Sequence, residues 1–389
     1  MNNCNQNLVI SLTELSESLI KTICVLRKNL EEKTADSSTV PVERTEPVFP
    51  ESEEKKHLDM FPFLSLKNIL GKFNSAELNQ KILNDILIQL WVMFKSARWL
   101  KCVRFADLEG LYQRVLTFPD IDYDRFFYLK SSGTNVNDPA NPLEYSLNIA
   151  IVASAIAKRI GYNEGKILII RLASLLKNLG TTTIEEDVLR KPGKLTDEEF
   201  SLITMVPVHS FRLLNGVPET EQGPWPEIKE IIGYTHEKED GSGYPQGLSK
   251  ENIPEEAKII GLAEVFEALT NGRKYRPPFL PYRAIKIISQ ERKDKFPHHL
   301  IKALFDVCSL YPVGTVFQLN TGQYGVVIKN TPNIARPVVE TVNRKTKEIE
   351  IVSLAENHLL SIENVIEDFE KIQDILNTFG FGLEKKRDN

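Results

Sequence analysis

The sequence predicts a mainly α-helical protein: a separate helical N-terminal domain, then a helical bundle that closes on a small β-hairpin or meander. Three observations carry this. Apolar residues recur at helical spacing through most of the chain before residue 310. The segments "LEYSLNIAIVASAIAKRIG" and "EGKILIIRLASLLKNLG" each end at a glycine, the usual residue just past a helix. After Pro312 the period becomes two. "GTVFQLNTGQYGVVIKN" alternates around Asn320-Thr321-Gly322, and "RPVVETVNRKTKEIEIVSL" continues the alternation.

Taken in order, residues 1–33 carry Leu12, Leu15, Leu19, Ile23 and Leu26 on one stripe, an amphipathic helix suited to docking or to a homodimer. Residues 34–57 are rich in Pro, Ser, Thr and Glu and read as a linker with little to bury. Residues 58–130 form the helical N-terminal domain, with Ser75 as an N-cap and Ile82, Ile86, Leu90 and Met93 on one face beside Trp91. No ligand-binding motif falls there. The polar stretch "SSGTNVNDPANP" at 131–142 marks the boundary. A second helical domain follows over 142–310, in which Thr196 and Glu199 have capping-box spacing. A β subdomain spans 311–355, and a C-terminal helix with a charged tail spans 356–389.

Composition narrows the function classes. Hydrophobic content of 42% and charged content of 26% are ordinary for a globular protein. A net charge of -5, from 48 basic and 53 acidic residues, argues against a general nucleic-acid coat and leaves room for a local basic pocket. Cys4, Cys24, Cys102 and Cys308 form no CxxC pair, which points to free thiols in a reducing compartment. The N-terminus lacks a basic n-region, and the densest apolar run, "ILIQLWVMF" at 86–94, is too short to span a bilayer. The expected location is cytoplasmic, with no membrane span.

Three segments carry a family resemblance: "RKPGKLTDEEF" at 190–200, "HEKEDGSGYPQGLSKENIPEEAKIIGLAEVFEALTNGRKYRPP" at 236–278, and "YPVGTVFQLNTGQYGVVI" at 311–328. In order and spacing the run 142–330 resembles the HD-GYP family, bacterial phosphodiesterases that open the ring of cyclic di-GMP. The first 130 residues are not covered. The resemblance implies a helical HD-domain bundle, and a histidine–aspartate cluster holding iron or manganese ions. Such ions lower the pKa of a bridging water and neutralise phosphate oxygens during in-line attack.

Carried over residue by residue, the family's ligand pattern is mostly replaced. Its first histidine falls on Tyr145, its HD pair on Lys177 and Asn178, and the histidine of its HP motif on Val206. Its paired histidines fall on Thr235 and His236, and its late aspartate on Glu264. Only His236 keeps its identity, and Glu264 is a conservative exchange. Lys177 brings a positive charge where the family places a cation ligand. It either pairs with Glu264 or snorkels to solvent. His209, a helical turn from Val206, is the nearest other imidazole in sequence. These exchanges leave no intact catalytic set, and the expectation is that no cofactor is required. The alternative is a residual phosphodiesterase using His236, Glu264 and His209 with iron or manganese.

The loop Asp240, Gly241, Gly243, Tyr244 and Pro245 keeps the GYP signature, as a structural brace or as a surface facing a GGDEF-type cyclase. Arg273, Tyr275 and Arg276 in "GRKYRPP" keep the family's nucleotide-contacting pattern. They either reach cyclic di-GMP or pair with Glu264 and Glu267. Lys191 and Lys194 read as solvated loop charges. The function expected is a catalytically inactive HD-GYP protein that binds or scaffolds in cyclic di-GMP signalling. A further alternative is an inert scaffold whose specificity lies in the N-terminal helices.

Overall fold

The computed structural model describes residues 77–119, 142–191, 193–216, 223–271, 279–342 and 348–379, with positions 121, 123, 126 and 346. The expected helix over 1–33, the linker over 34–57, the Ser75 cap, the break over 131–141, and Arg273, Tyr275 and Arg276 lie outside the described residues.

Helix α1 (Glu77–Leu100) buries Leu83, Ile86, Leu87, Leu90, Met93 and Phe94, the three- and four-residue spacing that puts one face on a core. Helix α2 (Phe105–Leu116) follows a short turn, and Arg104 grips Asp107 through two hydrogen bonds of 2.8 Å at its start. Helix α3 (Pro142–Arg159) is buried along nearly its whole length from Leu143 to Ala157, as expected of the central helix of a bundle. It packs against α4 (Glu164–Leu176) and α9 (Glu255–Thr270). Asn163 caps α4 by accepting from the Lys166 amide at 3.0 Å.

Gly161 follows α3 with a φ of +90°, as a helix-ending glycine does. Gly180 does something else. It lies inside a 3-10 turn (Leu179–Thr183), where a Cβ would stand 2.2 Å from the Val206 carbonyl oxygen. It is glycine because the backbone of the helix over Val206–Leu213 passes too close for any side chain. Between them run the short α5 (Glu186–Leu189) and α6 (Asp197–Thr204). The capping box on α6 is complete: Thr196 Oγ1 accepts from the Glu199 amide at 3.2 Å, and Glu199 Oε2 accepts from the Thr196 amide at 2.7 Å. Lys191 is not a free loop charge, because its ammonium sits 2.6 Å from Glu199 Oε2. Helices α7 (Val206–Leu213), α8 (Trp225–Tyr234), α10 (Pro281–Glu291) and α11 (His298–Cys308) complete the bundle.

The helices α1 and α2, from the segment expected as a separate domain, lie directly on these elements. Arg98 donates to the carbonyls of Thr182 at 2.9 Å and Ile184 at 2.8 Å, and Phe105 and Tyr112 set ring edges against Trp225. Among the described residues no helix is long and apolar enough to cross a membrane.

The C-terminal region is an antiparallel sheet of five strands: β1 (Val316–Leu319), β2 (Tyr324–Lys329), β3 (Val338–Val342), β4 (Ile349–Ser353) and β5 (Ile362–Val365). Their order is β4-β3-β2-β1-β5. The first four form the expected meander, and β5 returns to pair with β1. The expected limit at 355 is therefore too early, since β5 and the helix α12 (Phe369–Phe379) both belong to this unit. Alternation sorts the side chains. Val316, Val326 and Val342 face Ile372 and Ile375 of α12. Phe317, Leu319, Val327 and Val339 pack with Val313 and Leu354 on the other face.

Candidate functional site

The end of α4 sets one wall of the site. The Ser210 hydroxyl on α7 donates to the Lys177 carbonyl at 2.6 Å and accepts from the Gly180 amide at 2.7 Å. This clamps the chain as it leaves α4 and points the Lys177 side chain inward. Asn178 is held to α3 by donation to Ser146 Oγ at 3.1 Å. The Lys177 side chain is 0% exposed, and its Nζ lies 2.6 Å from Glu264 Oε1 on α9. The ion pair expected as one reading of Lys177 is formed, and the snorkelling alternative is ruled out. Asn178 Oδ1 at 3.4 Å is a weaker partner for the same ammonium.

His236, just past the end of α8, joins this pair. Its Nδ1 lies 3.3 Å from Glu264 Oε2 and 3.1 Å from the Tyr244 hydroxyl, and its Nε2 lies 3.5 Å from Lys177 Nζ. The ring stacks on Tyr244 at 4.8 Å between centroids. Burial pushes the imidazole pKa down to about 3, with the Lys177 and Lys238 charges adding to the effect against Glu264. His236 is thus neutral at ordinary pH. The geometry assigns its proton to Nδ1, facing the carboxylate, and leaves Nε2 as acceptor toward the ammonium. Burial alone would raise the Glu264 carboxyl, but His236, charged in the acid range where this carboxyl titrates, and the Lys177 ammonium outweigh it and hold the carboxyl well below the usual range.

The remaining expected positions surround this centre without joining it. Tyr145 on α3 reaches the Glu264 backbone carbonyl with its hydroxyl at 3.5 Å. Val206 is buried at the start of α7, where it packs as carbon. Thr235 is buried and returns its hydroxyl to the Ile232 carbonyl at 3.1 Å. His209 sits on α7 beside the Gly180 turn, and burial lowers its pKa.

The GYP loop is fastened by a residue that sequence reasoning passed over. Glu237 is buried, and its two carboxylate oxygens accept from the amides of Gln246 at 2.7 Å and Leu248 at 2.9 Å. Gly243 lies so close to the His236–Lys238 backbone that a Cβ would stand 2.4 Å from the Glu237 Cα. Asp240 takes the Ser242 amide and hydroxyl at 3.0 and 2.6 Å. Tyr244 presents its ring to Phe200 of α6, edge on, at 6.4 Å. Lys238 was also passed over. Its ammonium lies over the Phe296 ring at 4.6 Å, and burial lowers its pKa to about 8.

With this geometry in view, the comparisons with known proteins place the domain. Residues 134–300 match the HD domain family. The chain is 35% identical over 154 residues to the cyclic di-GMP phosphodiesterase response regulator RpfG of Xanthomonas campestris, covering 39% of this chain and 40% of that one. It is 29% identical over 185 residues to the cyclic di-GMP phosphodiesterase PA4108 of Pseudomonas aeruginosa, covering 48% of this chain and 44% of that one. The chain thus spans less than half the length of either relative. The solved structure of Bd1817, an HDG"Y"P protein from Bdellovibrio bacteriovorus, aligns over 66% of this chain and 81% of its own, with a TM-score of 0.45 and 15% identity. Residues 134–300 form an HD domain. Within that class the domain belongs to the HD-GYP family.

This placement corrects the expectation that no cofactor is required, because HD-domain phosphodiesterases are normally metal-dependent. The side chains at the family's ligand positions nonetheless do not fit a divalent metal centre. Among the described residues no group of three or more His, Cys, Asp or Glu is placed to hold one. The Glu264 carboxylate already carries the Lys177 ammonium, which repels a second cation at that point.

Proposed function

We propose that this HD-GYP domain binds a cyclic dinucleotide without opening its ring, and serves as a binding or scaffolding module in cytoplasmic cyclic di-GMP signalling. One observation supports it above the others: a fully buried lysine occupies the family's HD position and neutralises the carboxylate at the family's late aspartate position. An ammonium spent on that carboxylate cannot supply a metal-bound hydroxide for in-line attack. The relatives' names favour cyclic di-GMP as the ligand to try first. The Tyr244 loop, with the Phe200 ring 52% exposed beside it, is the surface we assign to a protein partner such as a GGDEF-type cyclase.

The test is a paired measurement on the full chain. Calorimetry with cyclic di-GMP should show binding, and an anaerobic assay supplied with iron(II) or manganese(II) should yield no linear product. Turnover in that assay would establish the second reading, a metal-dependent phosphodiesterase, which the relatives' names and the retained His236 and Glu264 favour.

A further inference from the structure

The GYP loop carries a cation, Lys238, that no described residue neutralises directly. Lys238 Nζ is wedged between the Phe296 ring, 4.6 Å away, and Gly261 of α9, where a Cβ would stand 3.4 Å from it. Among the described residues this ammonium donates no hydrogen bond to a protein group, and no carboxylate lies within ion-pair reach. Glu264 and the carboxylates of its own loop are already engaged. Glu264 holds Lys177 and His236, Glu239 holds Lys258 at 2.6 Å, and Asp240 holds Ser242. Of the charges that bear on Lys238, Glu264 favours the ammonium from beyond ion-pair reach, while Lys177, Lys295 and Arg292 oppose it. Lys295 is fixed at the loop by donation to Ser242 Oγ at 3.2 Å.

A partly buried cation among other cations is costly to maintain without a counter-ion, and a ring face replaces only part of its hydration. We propose that Lys238, with Lys295 and Arg292 beside it, is an anion site that takes a phosphodiester group of the cyclic dinucleotide. The choice of ligand rests on the function proposed above, while the anion site rests on the unpaired ammonium. The arrangement separates two roles. Lys177 is spent on Glu264 and holds the core of the site together. Lys238 is left free to donate its hydrogen bonds to a ligand, which a phosphodiester's anionic oxygens accept.

The experiment titrates the full chain by calorimetry with cyclic di-GMP and separately with inorganic phosphate, for the unsubstituted protein, Lys238→Met and Lys238→Arg. Loss of a charge-assisted hydrogen bond in Lys238→Met should weaken cyclic di-GMP about ten- to hundredfold, and Lys238→Arg should keep most of the affinity. Without ligand, the thermal midpoint of Lys238→Met should be unchanged or higher, because the substitution removes an uncompensated charge. A lysine that merely braces the loop would do the reverse, lowering the midpoint and sparing affinity. Unaltered cyclic di-GMP affinity in Lys238→Met would overturn the anion site and leave the dinucleotide reading standing. Lys238-dependent binding of phosphate alone, with no cyclic di-GMP binding, would keep the site and sink the dinucleotide. No heat from either probe would overturn both.

Discussion

The ion pair between Lys177 and Glu264 shows how far single residues could be read. Each exchange alone suggested a lost ligand, but together they suggested a lysine and a glutamate facing each other across the old metal position, and they meet at 2.6 Å. What the letters did not disclose is the isolation of Lys177, whose side chain is 0% exposed. That isolation sets a prediction. Glu264→Ala strands the ammonium in a low-dielectric site and should destabilise the fold by about 3–5 kcal/mol. The double substitution Lys177→Met, Glu264→Leu removes both charges and should recover most of that loss. Urea unfolding of the three proteins measures it. A single substitution within about 0.5 kcal/mol of the parent would show that the pair is solvated. Lys238 escaped reading because its significance lies in what fails to face it, and a sequence names residues without showing which neighbours are missing.

Among the elements, the legible ones are those whose signal is local. The capping box of α6 was visible because Thr196 and Glu199 need only each other and the intervening turn. Gly180 was misjudged as a helix end because its reason is the Val206 carbonyl, brought in from a different helix. Strand β5 was missed because Ile362 and Val365 flank only Glu363 and Asn364, too short a run for a period to show. Helix α6 also invites a test. None of its residues is buried, so its cap should control local opening and contribute little to global stability. Thr196→Ala should cost the helix about 1 kcal/mol, raising amide exchange over residues 197–204 roughly fivefold while the thermal midpoint stays put. The same segment should respond to acid. Lys191 and the Thr196 amide hold the Glu199 carboxyl below its usual range, so its stabilisation is present above the unfolded carboxylate value of about 4.3. It is lost as pH falls through the lower folded value, and exchange corrected for its intrinsic rate should rise there. Flat protection across that window would mean the Lys191 pair contributes nothing to the helix.

At the scale of the whole molecule, the class of fold followed from two periods: a helical repeat up to α11 and a strand repeat beyond it. What periodicity could not tell is which helices share a core. The segment containing α1 and α2 read as an independent domain because it lies outside the family resemblance and carries no motif. In the structure α1 packs against the 3-10 turn and α3, and α2 packs against α4. The join is polar as well as apolar. Arg98 Nη1 donates to the Thr182 and Ile184 carbonyls, on the chain that leaves Lys177 and Asn178. A guanidinium bonded to two carbonyls cannot be replaced by water without loosening the turn. Arg98→Ala should therefore destabilise the protein by about 2–4 kcal/mol, lowering the urea midpoint without changing the slope. Arg98→Lys, with a point charge in place of the planar fork, should fall between. If Arg98→Ala unfolds like the parent, α1 is only resting on the bundle; if it shifts as expected, α1 is part of the frame that holds Lys177 in place.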